Sequence, residues 1–226
     1  MADAPKKRGP IIIATALFLG LVAGVISVYV NGGFESNPSD EAKRAEAIAA
    51  CQLSEADRAA LNAAAKGELA AMRIADKPVP LQEVGFQMPD GSEQQFTDLD
   101  RVLVLNVWAT WCGPCREEMP DLAKMQELYG SEDFEVFALN VDRNGGTKPQ
   151  QFLESINATA LDLYIDPKNK TFQSLRSKGL VFGLPTTMVV DRSGCVQGVL
   201  SGIAHWGSED AKNLIEVAIK TLGQKT

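Results

Sequence analysis

The sequence predicts one α/β domain that follows a single transmembrane helix. From residue 102 to residue 221, apolar runs that suit buried strands alternate with stretches of helical spacing, as in a sheet covered by helices. Ahead of them, residues 11–30 form a run of twenty residues without a charge. With 226 residues, the chain is long enough for one domain with its own core plus appended segments.

The uncharged run 11–30 has the length of a membrane span. A helix rises ~1.5 Å per residue, so twenty residues cover the ~30 Å hydrocarbon core of a bilayer. Lys6, Lys7 and Arg8 precede the run and place its N-terminal end in the cytoplasm. A cleaved signal peptide is the alternative, but the run is longer than a usual signal core and no clean small-x-small site follows. The sequence therefore favours an uncleaved anchor, with the rest of the chain outside the cytoplasm.

A tether and a helical segment connect the span to the main domain. Residues 31–40 are rich in Gly, Asn, Pro and Ser, whereas 41–50 and 54–72 are rich in good helix formers. The helix 54–72 has a narrow apolar stripe, which favours packing on the domain over the alternative, a partner-docking arm. The predicted division is a cytoplasmic tail 1–10, an anchor 11–30, a linker 31–50, an N-terminal helical extension 51–79 and a main domain 80–226.

In the main domain the sequence predicts strands that alternate with helices. Residues 76–100 indicate a loop and a short hairpin with its turn at Pro89-Asp90-Gly91. Residues 102–107 read as a buried strand, and the apolar spacing after them suits a helix. The remaining predictions are strands at 134–142, 161–166, 187–190 and 196–201, and helices at 148–156, 168–176 and 208–221.

Two cysteines mark the junction between the strand 102–107 and the helix that follows. Cys112 falls at the helix N-terminus, where free N–H groups and the helix dipole favour a thiolate over a thiol. Cys115 lies one turn further, close enough to form a disulfide, and Gly113 and Pro114 keep that ring short. A zinc half-site and a structural disulfide are the alternatives. Zinc takes four ligands, whereas the chain has four cysteines and one histidine, so redox chemistry is preferred.

The other two cysteines, Cys51 and Cys195, are single and distant in sequence. In an oxidising compartment two such cysteines most often pair, which predicts a structural disulfide between the helical extension and the last hairpin. The alternative is a second redox pair that relays electrons to Cys112 and Cys115. Neither residue has a CxxC partner or a nearby basic residue, so the structural role is favoured.

The Trp-Cys-Gly-Pro-Cys motif resembles the redox motif of the thioredoxin superfamily. A second motif, Gly183-Leu184-Pro185-Thr186 before an apolar strand, resembles the loop in which that superfamily places a cis-proline facing the CxxC. The resemblance implies a thioredoxin-like α/β fold and a catalytic dithiol of Cys112 and Cys115. It also implies a substrate-binding surface in which Leu184 offers its backbone to a peptide; the surface comprises Trp111, Gly113, Pro114, Leu184, Pro185 and Thr186.

The anchor, the entry hairpin and the two extra cysteines resemble the membrane-anchored TlpA-like branch of that superfamily. This resemblance implies an N-terminal extension, an additional structural disulfide and a central α/β insertion at 144–176. Two positions depart from thioredoxins, where a buried Asp and its Lys partner align with Asn106 and Ala138. The usual proton acceptor for the buried thiol is then missing, and Asp142 is a substitute by position. His205, the single histidine, is interpreted as a surface or packing residue.

The resemblance implies a single-pass protein of the bacterial inner membrane with its domain in the periplasm. There it would reduce disulfides of client proteins in respiratory cytochrome or oxidase biogenesis, and a membrane thiol relay would recharge it. No cofactor or metal is expected. Nucleic-acid binding is not expected either, because the net charge is −7 and no basic patch lies beyond the first ten residues. The alternatives are a copper-handling chaperone with a thioredoxin fold and a thiol peroxidase.

Overall fold

The computed structural model describes residues 38–88, 90–143 and 147–224. The predicted anchor 11–30 and the tail before it lie outside the described residues, as do Pro89 of the predicted turn and residues 144–146 at the start of the predicted insertion. Within the described ranges, no helix combines the length and apolarity that crossing a membrane requires.

The N-terminal part of the described chain contains two helices, α1 (Pro38–Ala50) and α2 (Glu55–Ala64), and a compact unit begins at Glu46, within α1. The α1 helix lies in the segment assigned to the linker. The helix predicted at 54–72 is shorter in the structure. It ends at Ala64, and a single 3-10 turn at Gly67–Leu69 follows. Gly67 begins that turn at a φ of +54°, and a Cβ there would lie 2.0 Å from Asp210 Oδ2.

The main sheet has six strands in the order β1-β8-β7-β4-β5-β6, and a two-stranded hairpin stands apart from it. Strands β4, β5 and β6 are parallel, whereas β7, β8 and β1 add to β4 in antiparallel steps. The strands are β1 (Arg73–Pro80), β2 (Gly85–Gln87), β3 (Glu93–Gln95), β4 (Val102–Trp108), β5 (Phe134–Asn140), β6 (Leu163–Ile165), β7 (Thr186–Val190) and β8 (Cys195–Ser201), and the helices that follow α2 are α3 (Gly113–Tyr129), α4 (Thr147–Ser155), α5 (Lys170–Ser177) and α6 (Glu209–Leu222).

Strand β4 is central because its sequence allows burial on both faces. All seven of its residues are buried, as expected for a continuous apolar run with neighbours on both sides. Its carboxyl end leads directly to Cys112, the N-cap of α3, and Pro114 occupies the first turn of that helix. The most constrained strand of the sheet therefore positions the CxxC pair.

Strand β1 was not predicted, because its sequence carries few strand signals. Residues 73–80 contain two prolines and three charged residues, and the sequence predicts a helix that ends at residue 72 and a loop from residue 76, with no strand between them. The structure places them at the edge of the sheet, where a proline does not interrupt a ladder on both sides.

The segment between β5 and β7 supplies α4, β6 and α5, the elements predicted for the central insertion. Strand β6 extends the sheet by pairing in parallel with β5. The Tyr164 ring stacks on Phe137 with centroids 3.6 Å apart, and its hydroxyl donates to Glu135 Oε1 at 2.5 Å. Phe86 of the hairpin packs edge-on against both rings. An aromatic cluster thus fastens the insertion and the hairpin to the sheet.

Cys51 and Cys195 form a disulfide with their Cα atoms 5.6 Å apart. Both residues are buried, and Gln197 Nε2 donates to the carbonyl of Cys51 and to Asp191 Oδ2. The bridge joins the end of α1 to the start of β8, across 144 residues of sequence.

Replacing both residues, Cys51→Ala with Cys195→Ala, should lower the free energy of unfolding by about 4 to 5 kcal/mol. The reason is that the bridge closes a long loop and so reduces the conformational entropy of the unfolded chain, and the variant loses that restriction. Urea denaturation followed by tryptophan fluorescence measures the loss. The folded variant should exchange disulfides at the wild-type rate. A change in the free energy of unfolding below about 1 kcal/mol would show that the bridge does not stabilise the fold. A loss of exchange in the folded variant would show that the bridge takes part in the redox reaction.

Candidate active site

The CxxC pair is oxidised, with Cys112 and Cys115 joined and their Cα atoms 5.3 Å apart. Cys112 caps α3, and its Sγ accepts a hydrogen bond from the Cys115 N–H at 3.3 Å. Cys112 is 6% exposed, whereas Cys115 is fully buried. Of the two residues, Cys112 has some exposed surface and lines the neighbouring cavity, so Cys112 is the one that an incoming disulfide can meet.

The second predicted motif lies beside this pair. The Leu184–Pro185 peptide bond is cis, and the Pro185 carbonyl accepts from the Gly202 N–H at 2.9 Å. Cys112 and Leu184 line the same cavity, so the structure brings both motifs together. Thr186, predicted in the substrate surface, is instead fully buried, and its hydroxyl donates to the Gly183 carbonyl. Its side chain therefore shapes the proline loop and is not available to a client.

Two exposed aromatic side chains lie next to the redox motifs in sequence. Trp111, directly before Cys112, is 71% exposed, and Phe182, which precedes the proline loop, is 77% exposed. Gly113 and Pro114 are exposed as well. Large apolar side chains left in water at such a site are typical of a contact surface for a partner. Trp111, Gly113 and Pro114 are therefore accessible, as a substrate-binding role requires.

Glu118 is a buried carboxyl group that the sequence analysis did not single out. It lies on α3 three residues after Cys115, which puts both side chains on one face of the helix. Its Oε1 accepts from Asn106 Nδ2 at 2.7 Å, and its Oε2 accepts from the Ala204 N–H and the Trp206 indole, each at 3.3 Å. Burial outweighs these hydrogen bonds and raises the pKa of Glu118 to about 7. A group that titrates near neutrality thus lies one turn behind the buried cysteine.

Asn106 and Ala138, the two positions that depart from thioredoxins, are register partners on β4 and β5. With no lysine at Ala138, Asn106 turns to Glu118 and to Thr187 Oγ1, which lies 2.9 Å from its Nδ2. In this protein the buried carboxyl group near Cys115 therefore comes from α3, and β4 contributes the amide of Asn106. The sequence signal for Glu118 is its place among the apolar positions of α3, three residues after Cys115 and four before Leu122.

Asp142, the substitute suggested by position for the proton acceptor, binds the loop before Cys112 in the structure. Its carboxylate accepts from the Thr110 backbone N–H at 3.1 Å and from the Thr110 hydroxyl at 2.6 Å. It therefore holds the loop before Cys112, and Glu118 replaces it as the candidate acceptor. His205 has an exposed side chain, with Nε2 4.0 Å from Glu68 Oε2, as expected for a surface residue.

A comparison with family models matches residues 74–215 to the redoxin family. The chain belongs to the redoxin family. This redoxin is 32% identical over 141 residues to the thiol-disulfide oxidoreductase ResA of Geobacillus thermodenitrificans, covering 59% of this chain and 76% of the relative. It is also 32% identical over 121 residues to the thiol:disulfide interchange protein HelX of Rhodobacter capsulatus, covering 50% and 62%.

Among solved structures, the redoxin resembles a thiol:disulfide interchange protein of the thioredoxin family from Chlorobium tepidum TLS. The TM-score is 0.51 at 24% identity, and the match covers 64% of this chain and 99% of that one. At this identity the likeness shows the fold alone. The predicted thioredoxin-like α/β fold is thereby confirmed.

The raised pKa of Glu118 makes stability depend on pH. In the folded state its pKa is about 7, above the ordinary 4.5, so the carboxyl group stabilises the fold fully below pH 4.5 and loses that contribution as the pH rises through 7. Glu118→Gln is neutral at every pH. The advantage of the wild type over the variant in free energy of unfolding should therefore fall by about 3 kcal/mol between about pH 4.5 and pH 8.

Urea denaturation of both proteins across this pH range measures that difference. The matched control is Glu117→Gln, because Glu117 is the adjacent carboxylate and is exposed. It should show no such trend. A wild-type advantage over Glu118→Gln that stays constant with pH would contradict the assignment.

Proposed function

We propose that this redoxin is a membrane-anchored periplasmic enzyme that reduces disulfides in partner proteins. The enzyme class itself, a thiol-disulfide oxidoreductase, is confirmed by the family match and by the relatives. One observation carries the reductase proposal: Cys112, at a helix N-terminus, lines the same cavity as Leu184 of the cis-proline loop and forms a disulfide with the fully buried Cys115.

The reaction follows from the unequal burial of the two sulfurs. In the dithiol form, the Cys112 thiolate attacks one sulfur of the client disulfide, and the other client sulfur leaves as a thiolate. Cys115 then attacks Cys112 Sγ, forms the intramolecular disulfide and releases the second client thiolate. Two electrons pass to the client, and the oxidised pair seen in the structure remains. Because Cys115 is fully buried, the second attack occurs within the protein and needs no further partner.

Glu118 is the group we propose as acceptor of the Cys115 proton. A thiol must lose its proton to attack, and a base works best when its pKa lies near the operating pH. Glu118 meets this condition with a pKa of about 7, and it lies one turn beyond Cys115 on the same helix face. It acts on the second step only, because Cys112 is stabilised as a thiolate by the helix N-terminus.

The direction of electron flow is proposed from the two residues between the cysteines. Gly113 and Pro114 resemble the pair in reducing members of the thioredoxin superfamily. The donor is proposed to be a thiol relay in the membrane, because a dithiol outside the cytoplasm must be recharged. The clients, proteins of respiratory cytochrome or oxidase biogenesis, are likewise proposed from resemblance to the TlpA-like branch. The anchor 11–30 supports placement in the inner membrane by its length and its basic flank.

Insulin reduction by the full chain with dithiothreitol as donor tests the proposal. Cys112→Ser should lower the catalysed rate at least about a hundredfold, because it removes the attacking sulfur. Cys115→Ser should also lose turnover, yet it should accumulate a mixed disulfide through Cys112, visible by mass spectrometry without reductant. The reduction potential of the pair should lie nearer the thioredoxin value of about −270 mV than the DsbA value of about −120 mV.

The control for these two variants is Cys51→Ala with Cys195→Ala, which should turn over insulin at the wild-type rate. Insulin reduction that persists in Cys112→Ser would overturn the assignment of the nucleophile. A reduction potential near −120 mV would reverse the proposed direction and make the protein an oxidant.

A further inference from the structure

A cavity of about 1350 Å³ opens beside the redox disulfide. Part of its lining comes from the redox motifs, including Trp111, Cys112 and Leu184. Much of the remainder comes from the central insertion, where α4 and α5 contribute Lys148 and Arg176. A client that reaches Cys112 through this cavity therefore also lies along the insertion.

The exposed charged residues that line this cavity are all positive. Arg143, Lys148 and Arg176 line it and are exposed. None of the three forms an ion pair with another described residue, whereas Arg101 and Arg192 do. The carboxylate among the described lining residues, Asp142, is buried and accepts hydrogen bonds from Thr110. Three exposed cations thus line one cavity in a protein whose net charge is −7.

We propose that this cavity binds an acidic segment of the client, close to the disulfide that Cys112 attacks. The inference rests on the proposed function and names its substrate class: a protein disulfide flanked by Asp or Glu. A cleft lined by charges of one sign raises the local concentration of an oppositely charged partner and the rate of encounter. The insertion then selects the client, while the CxxC pair performs the exchange. The alternative is that the three cations are solvated and take no part in selection.

Two synthetic peptides test this proposal. Each contains one intramolecular disulfide in the same core, flanked in one by four glutamates and in the other by four glutamines. The full chain in detergent, pre-reduced with dithiothreitol and freed of it, is mixed with each peptide, and the single-turnover rate is measured. Each rate is divided by the rate of that peptide with dithiothreitol alone, because a negative flank slows attack by any thiolate. The test quantity is the ratio of the two normalised rates.

We expect the glutamate peptide to react roughly tenfold faster than the glutamine peptide at low salt, and the ratio to approach one in about 1 M salt, where the screening length is ~3 Å. The triple variant Arg143→Gln, Lys148→Gln, Arg176→Gln should bring the ratio near one at low salt. A matched triple variant with the same loss of charge, Lys66→Gln, Lys77→Gln, Lys220→Gln, should keep the wild-type ratio, because these exposed lysines do not line the cavity. The ratio is used because loss of the cations also changes the reactivity of Cys112 toward any substrate.

The outcomes separate this inference from the proposed function. If both peptides are reduced at equal normalised rates, the cations take no part in selection, and the reductase function stands. If both triple variants lower the ratio alike, the effect is one of net charge and the cavity is not the site. If neither peptide is reduced, the proposed function fails, and this inference fails with it.

Discussion

The junction between β4 and α3 is the constraint on which the rest of the structure depends. Strand β4 is buried along its whole length, so its carboxyl end has one position relative to the sheet. From there the chain turns into α3 with Cys112 as the N-cap, and Asp142 holds the connecting loop through Thr110. The sulfur therefore lies at the N-terminus of the helix, where it accepts from the Cys115 N–H, and its reactivity follows from how strand and helix join.

A second constraint lies beneath the disulfide, where polar groups are buried together. Asn106, Glu118 and Trp206 come from a strand, a helix and a loop, and the Glu118 carboxyl group accepts a hydrogen bond from each of the other two side chains. Removing one partner of a buried ion pair destabilises a fold strongly, because the other charge stays buried without compensation. Here neither the Asp nor the Lys of thioredoxins is present, since Asn106 and Ala138 occupy their positions. The carboxyl group reappears on α3 with a pKa of about 7. A titratable carboxyl group thus lies near Cys115 in this protein, supplied by Glu118 of α3 and not by an Asp of β4 as in thioredoxins.

Sequence reasoning succeeded where the signal was local and failed where it depended on distant neighbours. Strand β4 and helix α3 were predictable because an apolar run and an N-cap are written in consecutive residues. Strand β1 was not, because only its place at a sheet edge makes its prolines acceptable. Glu118 was missed because its partners Asn106 and Trp206 lie far away in sequence. The three cations of the cavity likewise meet only through the fold of the insertion.

The pH dependence of alkylation of Cys112 tests the central claim most directly. In the reduced full chain, mass spectrometry can follow how fast iodoacetamide modifies Cys112 between about pH 5 and pH 10. A thiolate held by a helix N-terminus should reach half of its maximal rate at least about one pH unit below the value of about 8.5 for an ordinary cysteine. A half-maximal rate at about pH 8.5, with reactivity no greater than that of an exposed thiol, would contradict the account.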